Sequence, residues 1–183
     1  CLDDILIEGL GTKHSASLTY EDGKIYIDIA NIRTASSIIW NGNNSNVWDF
    51  ANQQNFTLAS NPNVTDESFI TGDKVFFLSA ASQYNIAIEG AIDADSIIVD
   101  SNEDYLFGGN GSIIGSSVIV KRGEGKLTIK NDNAYTGGTR ISRGTVSVSA
   151  LSNANQEKGN LGAVVHAPAK FVIENGATLQ ATA

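Results

Sequence analysis

Apolar residues recur at every second position in short runs along the whole chain, and Gly, Asn, Asp or Ser breaks almost every run. Such alternation puts one set of side chains on each face of an extended strand, whereas an amphipathic helix repeats about every 3.6 residues. The runs are 17–20, 24–29, 37–40, 74–78, 85–88, 96–99, 105–107, 118–120, 126–129, 139–141, 145–148, 170–173 and 178–180. No stretch holds a convincing helical period. The segment 150–161 has apolar residues, but Asn153, Asn155, Gly159 and Asn160 make it a loop. The expected fold class is all-β, and 42% hydrophobic with 17% charged residues is enough apolar surface for a core.

The punctuation chooses among β architectures. Glu21-Asp22-Gly23 between two alternating runs reads as a tight hairpin. After Gly72 the runs shorten to three to five residues, each followed by a Gly or Asn corner. Short strands with regular corners suit a solenoid, in which each coil pairs in parallel with the next and donates inward side chains to one core. A parallel β-helix is therefore expected over 73–183, with roughly 20 to 25 residues per coil and about 4.8 Å between coils. Residues 1–36 are expected to be a strand pair or the tail of a preceding module, and 37–72 a Trp-containing cap segment. Gly-x-Gly at 109–111 and 123–125, Gly-Thr-Val-Ser-Val at 144–148 and Gly-Ala-Thr-Leu-Gln at 176–180 form a weak internal repeat of corner glycine followed by strand.

Charge narrows the partners. Against 20 Asp and Glu stand 12 Lys and Arg, a net charge of −8, which disfavours nucleic acid because phosphate binding requires a cationic stripe. One cysteine permits no internal disulfide. The chain has no Met and opens at Cys1, so the expectation is a piece or processed form of something longer. Cys1 reads either as a fragment boundary or as a lipidated residue, since Cys1-Leu2-Asp3-Asp4 resembles the start of mature bacterial surface lipoproteins. Membrane contact is expected only through such a lipid or an anchor domain outside the sequence.

Residues 120–148 read VKRGEGKLTIKNDNAYTGGTRISRGTVSV. This resembles the autotransporter-associated β-strand repeat of secreted Gram-negative passenger proteins, at Gly123, Gly125, Leu127, Thr128, Ile129, Asn133, Tyr135, Thr136, Gly137, Gly138, Thr139, Ile141, Gly144 and Thr145. Ala134 stands where Thr is usual, and Val146 where Leu is commoner. The segments 39–42, 47–49 and 72–77 look like the linker that precedes such repeats. The resemblance implies a right-handed β-helix at the cell surface with no shared catalytic residues. Read on their own, Leu127 and Ile129 face inward, Thr128 and Lys130 outward. Tyr135 caps the core edge with its hydroxyl in water, and Asn131 and Asn133 form stacked amide ladders at the corners.

Candidate chemistry is sparse. The acidic cluster Asp93, Asp95, Asp100, Glu103 and Asp104 fits neither an EF-hand loop nor a nonapeptide Ca²⁺ repeat and reads as a solvated corner. His14 and His166 have no second His or Cys at metal-ligand spacing. No catalytic residue, metal site or cofactor is expected. Trp40 and Trp48 could stack on sugar rings as a glycan platform, but core packing with Phe50, Phe56 and Phe69 is the stronger reading. The alternating strand at 170–183 shows no closing cap, so neighbouring coils of a parent chain or further copies of this chain are its expected partners. The sequence thus predicts a non-enzymatic, extracellular stalk or adhesin scaffold. The alternatives are a filament subunit stacking end to end and a polysaccharide-binding or polysaccharide-cleaving module that meets host or matrix glycans.

Overall fold

A computed structural model describes residues 15–30, 33–149, 157–163 and 170–182. The chain forms two compact units, 1–34 and 35–183. In the first, β1 (Ser15–Glu21) and β2 (Lys24–Ala30) pair antiparallel, with Glu21 opposite Lys24. Asp22 and Gly23 between them have φ of 48° and 74°, the double positive φ of a type I′ turn that matches the twist of the flanking strands. Leu18 faces Ile27 and Tyr20 faces Ile25 across the pair, giving one apolar face.

The second unit contains β3 (Ser37–Trp40), β4 (Val47–Trp48), β5 (Phe56–Leu58), β6 (Lys74–Leu78), β7 (Asn85–Ile88), β8 (Ala91–Ile92), β9 (Ser96–Asp100), β10 (Tyr105–Gly108), β11 (Ser112–Ile113) and β12 (Val118–Arg122). It continues with β13 (Lys126–Ile129), β14 (Gly138–Ile141), β15 (Thr145–Val148), β16 (Phe171–Ile173) and β17 (Thr178–Ala181). Successive strands fall into different sheets, except β5 and β6. One sheet has the order β16-β14-β12-β9-β6-β3-β5, a second β17-β15-β13-β10-β7-β4, and a two-stranded sheet joins β11 to β8. Every pairing in these sheets is parallel except β5 on β3. The described residues are all-β, and these mostly parallel sheets are compatible with a β-helix.

The register shows how the chain returns upon itself. Val75, Ile97, Ile119 and Thr139 lie opposite one another on successive strands, with offsets of 22, 22 and 20 residues. In the neighbouring sheet Ile86, Phe107, Ile129 and Val148 align with offsets of 21, 22 and 19. Four returns are longer: Ile38 to Val75 takes 37 residues, Thr139 to Phe171 takes 32, Val47 to Ala87 takes 40 and Thr145 to Thr178 takes 33. Parallel pairing begins at β3, earlier in the chain than the expected position 73, because Ser37, Ile38 and Ile39 align with Lys74, Val75 and Phe76. Beyond β3, β5 turns back antiparallel, and Trp40, Trp48, Phe56 and Phe69 fill the interior beside it.

The core follows from alternation. Ile38, Val75, Phe77, Ile97, Val99, Ile119, Leu127, Ile129, Ile141, Val146 and Val148 are each fully shielded from solvent. Thr128 and Lys130, in and beside β13, are more exposed than the residues they alternate with, whereas Ile98 and Ser147 are buried although they lie between core positions. Parallel pairing of this kind sets like residues over like residues, so a buried side chain in one strand meets a buried side chain in the next.

Candidate functional site

At the corners around 100–102, 122–125 and 142–144 consecutive circuits come into close backbone contact. A methyl group at Gly125 would lie 2.3 Å from the Glu103 carbonyl oxygen, and one at Gly123 would lie 2.4 Å from that of Ser101. Gly123 also has φ of 68°, so it needs both the space and the left-handed backbone; Gly125 needs only the space. The contact is hydrogen-bonded: Gly125 N–H donates to the Ser101 carbonyl at 2.9 Å. Gly137, Gly138 and Gly144 are equally confined, with carbonyl oxygens 2.3, 2.2 and 2.6 Å from the position a Cβ would take.

Beneath this corner lies Lys121. It alternates with Ile119, faces the interior, and sits in register between Val99 and Ile141 with no solvent exposure. Its ammonium donates to the carbonyls of Arg122, of Gly123 at 2.8 Å and of Arg143 at 3.5 Å. Burial lowers its pKa below the usual lysine range, against the opposing pull of Asp100, Glu124 and Asp104. Sequence reading did not single out this residue, although the alternation that turned Ile119 inward gave the signal.

Above it opens a groove of about 560 Å³ lined by Asp100, Asn102, Arg122, Gly123, Glu124, Ser142, Arg143, Glu174 and Asn175. Arg143 Nη1 stands 3.4 Å from Glu124 Oε1, both side chains well exposed, and Arg140 holds Glu174 at 2.5 Å. Hydrogen bonds from Arg140 and Ser142 lower the Glu174 pKa. Arg122 lies in register with Asp100, and its positive charge adds to the pull that lowers the Glu174 pKa. Residues from four separate segments meet here, so no local motif announced the groove.

The predicted site residues fall as follows. Trp40 and Trp48 are buried at 1% and 0% exposure, which corrects the glycan-platform expectation: no sugar ring reaches either indole. They pack on Phe56, Phe69, Phe77 and Phe107 at ring-centroid distances of 5.3 to 6.3 Å, and Trp40 Nε1 donates to the Gln83 carbonyl. Phe50 does not join them; it is 43% exposed, because β4 ends at Trp48 and alternation no longer sets its direction. Tyr135 is also corrected. Its hydroxyl is not in water but 2.6 Å from Thr139 Oγ1, and both residues are buried. Burial raises the Tyr135 pKa, and the bond to Thr139 opposes the rise.

Asn131 and Asn133 are buried, but not as amide-on-amide ladders. Asn131 Nδ2 lies 3.0 to 3.1 Å from the carbonyls of Gly108, Gly109 and Gly111 in the preceding circuit. Asn133 accepts from Ile113 N–H and donates to the Asn131 and Asn160 carbonyls. Each amide therefore ties backbone to backbone, which satisfies corner groups that would otherwise be buried unpaired. The acidic residues do not converge: Asp104 accepts from Lys126 N–H, Asp95 from the Ser96 hydroxyl, and no metal-holding group of three exists among the described residues. Cys1, His14 and His166 lie outside the described residues.

Residues 119–148 match the passenger-associated-transport-repeat family. The segment spans β12 to β15 and contains the Gly123, Gly125, Tyr135 and Gly144 corners, so the chain carries an autotransporter passenger repeat. The Adhesin BmaC autotransporter of Brucella suis biovar 1 (strain 1330) is 26% identical over 119 residues, covering 63% of this chain and 3% of that protein. The chain thus spans a small part of that relative's length. No solved structure matches it.

Proposed function

We propose that residues 35–183 wind as a right-handed parallel β-helix and serve as a non-enzymatic scaffold in the passenger of an autotransporter-like surface protein. The observation that carries this reading is the passenger repeat at 119–148, which coincides with a segment whose strands return in parallel every 19 to 22 residues. The repeat and the adhesin relative both point to a surface-exposed or secreted protein of a Gram-negative bacterium. The product of such a structure is shape. Stacked inward side chains and carbonyl-bound corners make a stiff spacer that holds an adhesive region away from the envelope.

Its partners in this reading are neighbouring coils of a longer parent chain. Phe171 and Ile173 occupy the register columns of Thr139 and Ile141, yet are 40% and 45% exposed, and a further coil would cover them. The reading is tested by duplicating 97–118, one 22-residue return between Ile97 and Ile119. The expected result is a folded protein longer by about 4.8 Å in solution scattering, with crystallography giving the hand. Loss of β-structure on duplication, or a left-handed coil, would overturn it. Antibody to the purified chain should label intact cells that express the parent gene.

A further inference from the structure

We infer that the groove over Asp100, Arg122, Glu124, Arg143 and Glu174 is a binding site for an uncharged, polyhydroxylated glycan. The inference goes beyond the scaffold reading and stands whether or not the helix acts as a stalk.

The lining contains three carboxylates, two guanidinium groups, two amides, one hydroxyl and one glycine, with no aromatic or aliphatic side chain. An apolar ligand would find nothing to bury against. A polyanion would meet Asp100, Glu124 and Glu174 in a chain of net charge −8. Sugar hydroxyls each donate and accept, so they match a surface that mixes carboxylate acceptors with guanidinium and amide donors. Arg122 can donate here: among the described residues Arg143 lies 3.4 Å from Glu124 and Arg140 2.5 Å from Glu174, whereas Arg122 acts on Glu174 only through its charge and makes no such close pair.

Geometry supports an extended ligand. The lining residues come from successive circuits, Asp100 and Asn102, then Arg122 to Glu124, then Ser142 and Arg143, then Glu174 and Asn175. Circuits recur at about 4.8 Å, a spacing on the scale of one pyranose ring along a chain. The floor is preformed. Lys121, itself fully buried, donates to the carbonyls of Arg122, Gly123 and Arg143, so the backbone beneath three lining residues is already fixed before any ligand arrives. A rigid floor reduces the ordering cost of binding.

The test is affinity electrophoresis of the full chain through gels holding dextran, mannan, β-1,3-glucan or polygalacturonate, compared with an empty gel. At least one neutral polysaccharide should retard the protein. Arg122→Ala should weaken that retardation at least fivefold, while Lys130→Ala, which removes the same charge outside the groove, should leave it unchanged. Asn102→Ala gives a second reading if Arg122→Ala fails to keep its circular dichroism spectrum. Absence of retardation by all three neutral polymers, equal retardation of the groove variants and the unsubstituted chain, or stronger retardation by polygalacturonate would each overturn the proposal.

Discussion

Tyr135 and Lys121 show how two polar residues are accommodated inside a core of Ile, Leu and Val. The Tyr135 hydroxyl meets Thr139 Oγ1 at 2.6 Å, so neither buried oxygen is left alone. Tyr135→Phe removes one partner and should cost about 1–3 kcal/mol in urea unfolding at pH 7. The pH dependence carries a further signature. Burial raises the native phenol pKa above its unfolded value near 10, so the native state keeps a proton that the unfolded state loses, and stability falls as pH climbs above about 10. Tyr135→Phe should therefore lose less stability than the unsubstituted chain above that pH. Tyr105, raised by burial and by Tyr84, retains its own share of the decline.

Lys121 has the opposite sign. Its native pKa is lowered by burial, so between that lowered value and the unfolded value near 10.4 the unfolded chain binds the extra proton and stability rises with pH. The stability of the unsubstituted chain relative to Lys121→Met should rise with pH across this window, read from urea midpoints. A difference independent of pH would mean that Lys121 reaches solvent.

At the scale of the element, strand and corner were unequally legible. Runs such as 74–78, 96–99 and 126–129 became β6, β9 and β13 within a residue or so, because alternation is written locally. β4, β8 and β11 have two residues each and β5 three, too few to display any period, and β5 pairs antiparallel, which no local pattern specifies. Corner glycines were legible as corners, but the reason for each was not. Gly125 lies against the Glu103 carbonyl of the preceding circuit, and that neighbour is known only once the circuits are stacked. Gly125→Ala forces the two circuits apart and should cost about 1–3 kcal/mol as a lowered urea midpoint. Asn131 makes the same point: the expectation is amide stacked on amide from coil to coil, and instead its Nδ2 lies within hydrogen-bond reach of three carbonyls of the circuit before it.

On the scale of the molecule, the two units differ in how they can hold together. The 35–183 unit has its own continuous interior from Ile38 to Val148. The first unit shows two strands, an arrangement that is marginal in water by itself. Removing residues 1–34 should leave the melting temperature of the remainder within about 2 °C and its strand content intact by circular dichroism, since a unit with its own core folds independently. A large fall would show that the hairpin supports the parallel sheets.

Sequence by itself determined which residues extend, which face inward and where the chain bends, because side-chain alternation and glycine's tolerance of positive φ act over a few neighbouring residues. It also made Trp40 and Trp48 core candidates, though only packing against Phe56 and Phe77 removed them from the surface. Tertiary structure alone decided which strand lies on which. Parallel partners are 19 to 40 residues apart, and nothing within one strand encodes the length of the excursion that returns to it. Lys121 under its three carbonyls, and the groove that gathers Asp100, Arg122, Ser142 and Glu174, exist only after that stacking is made.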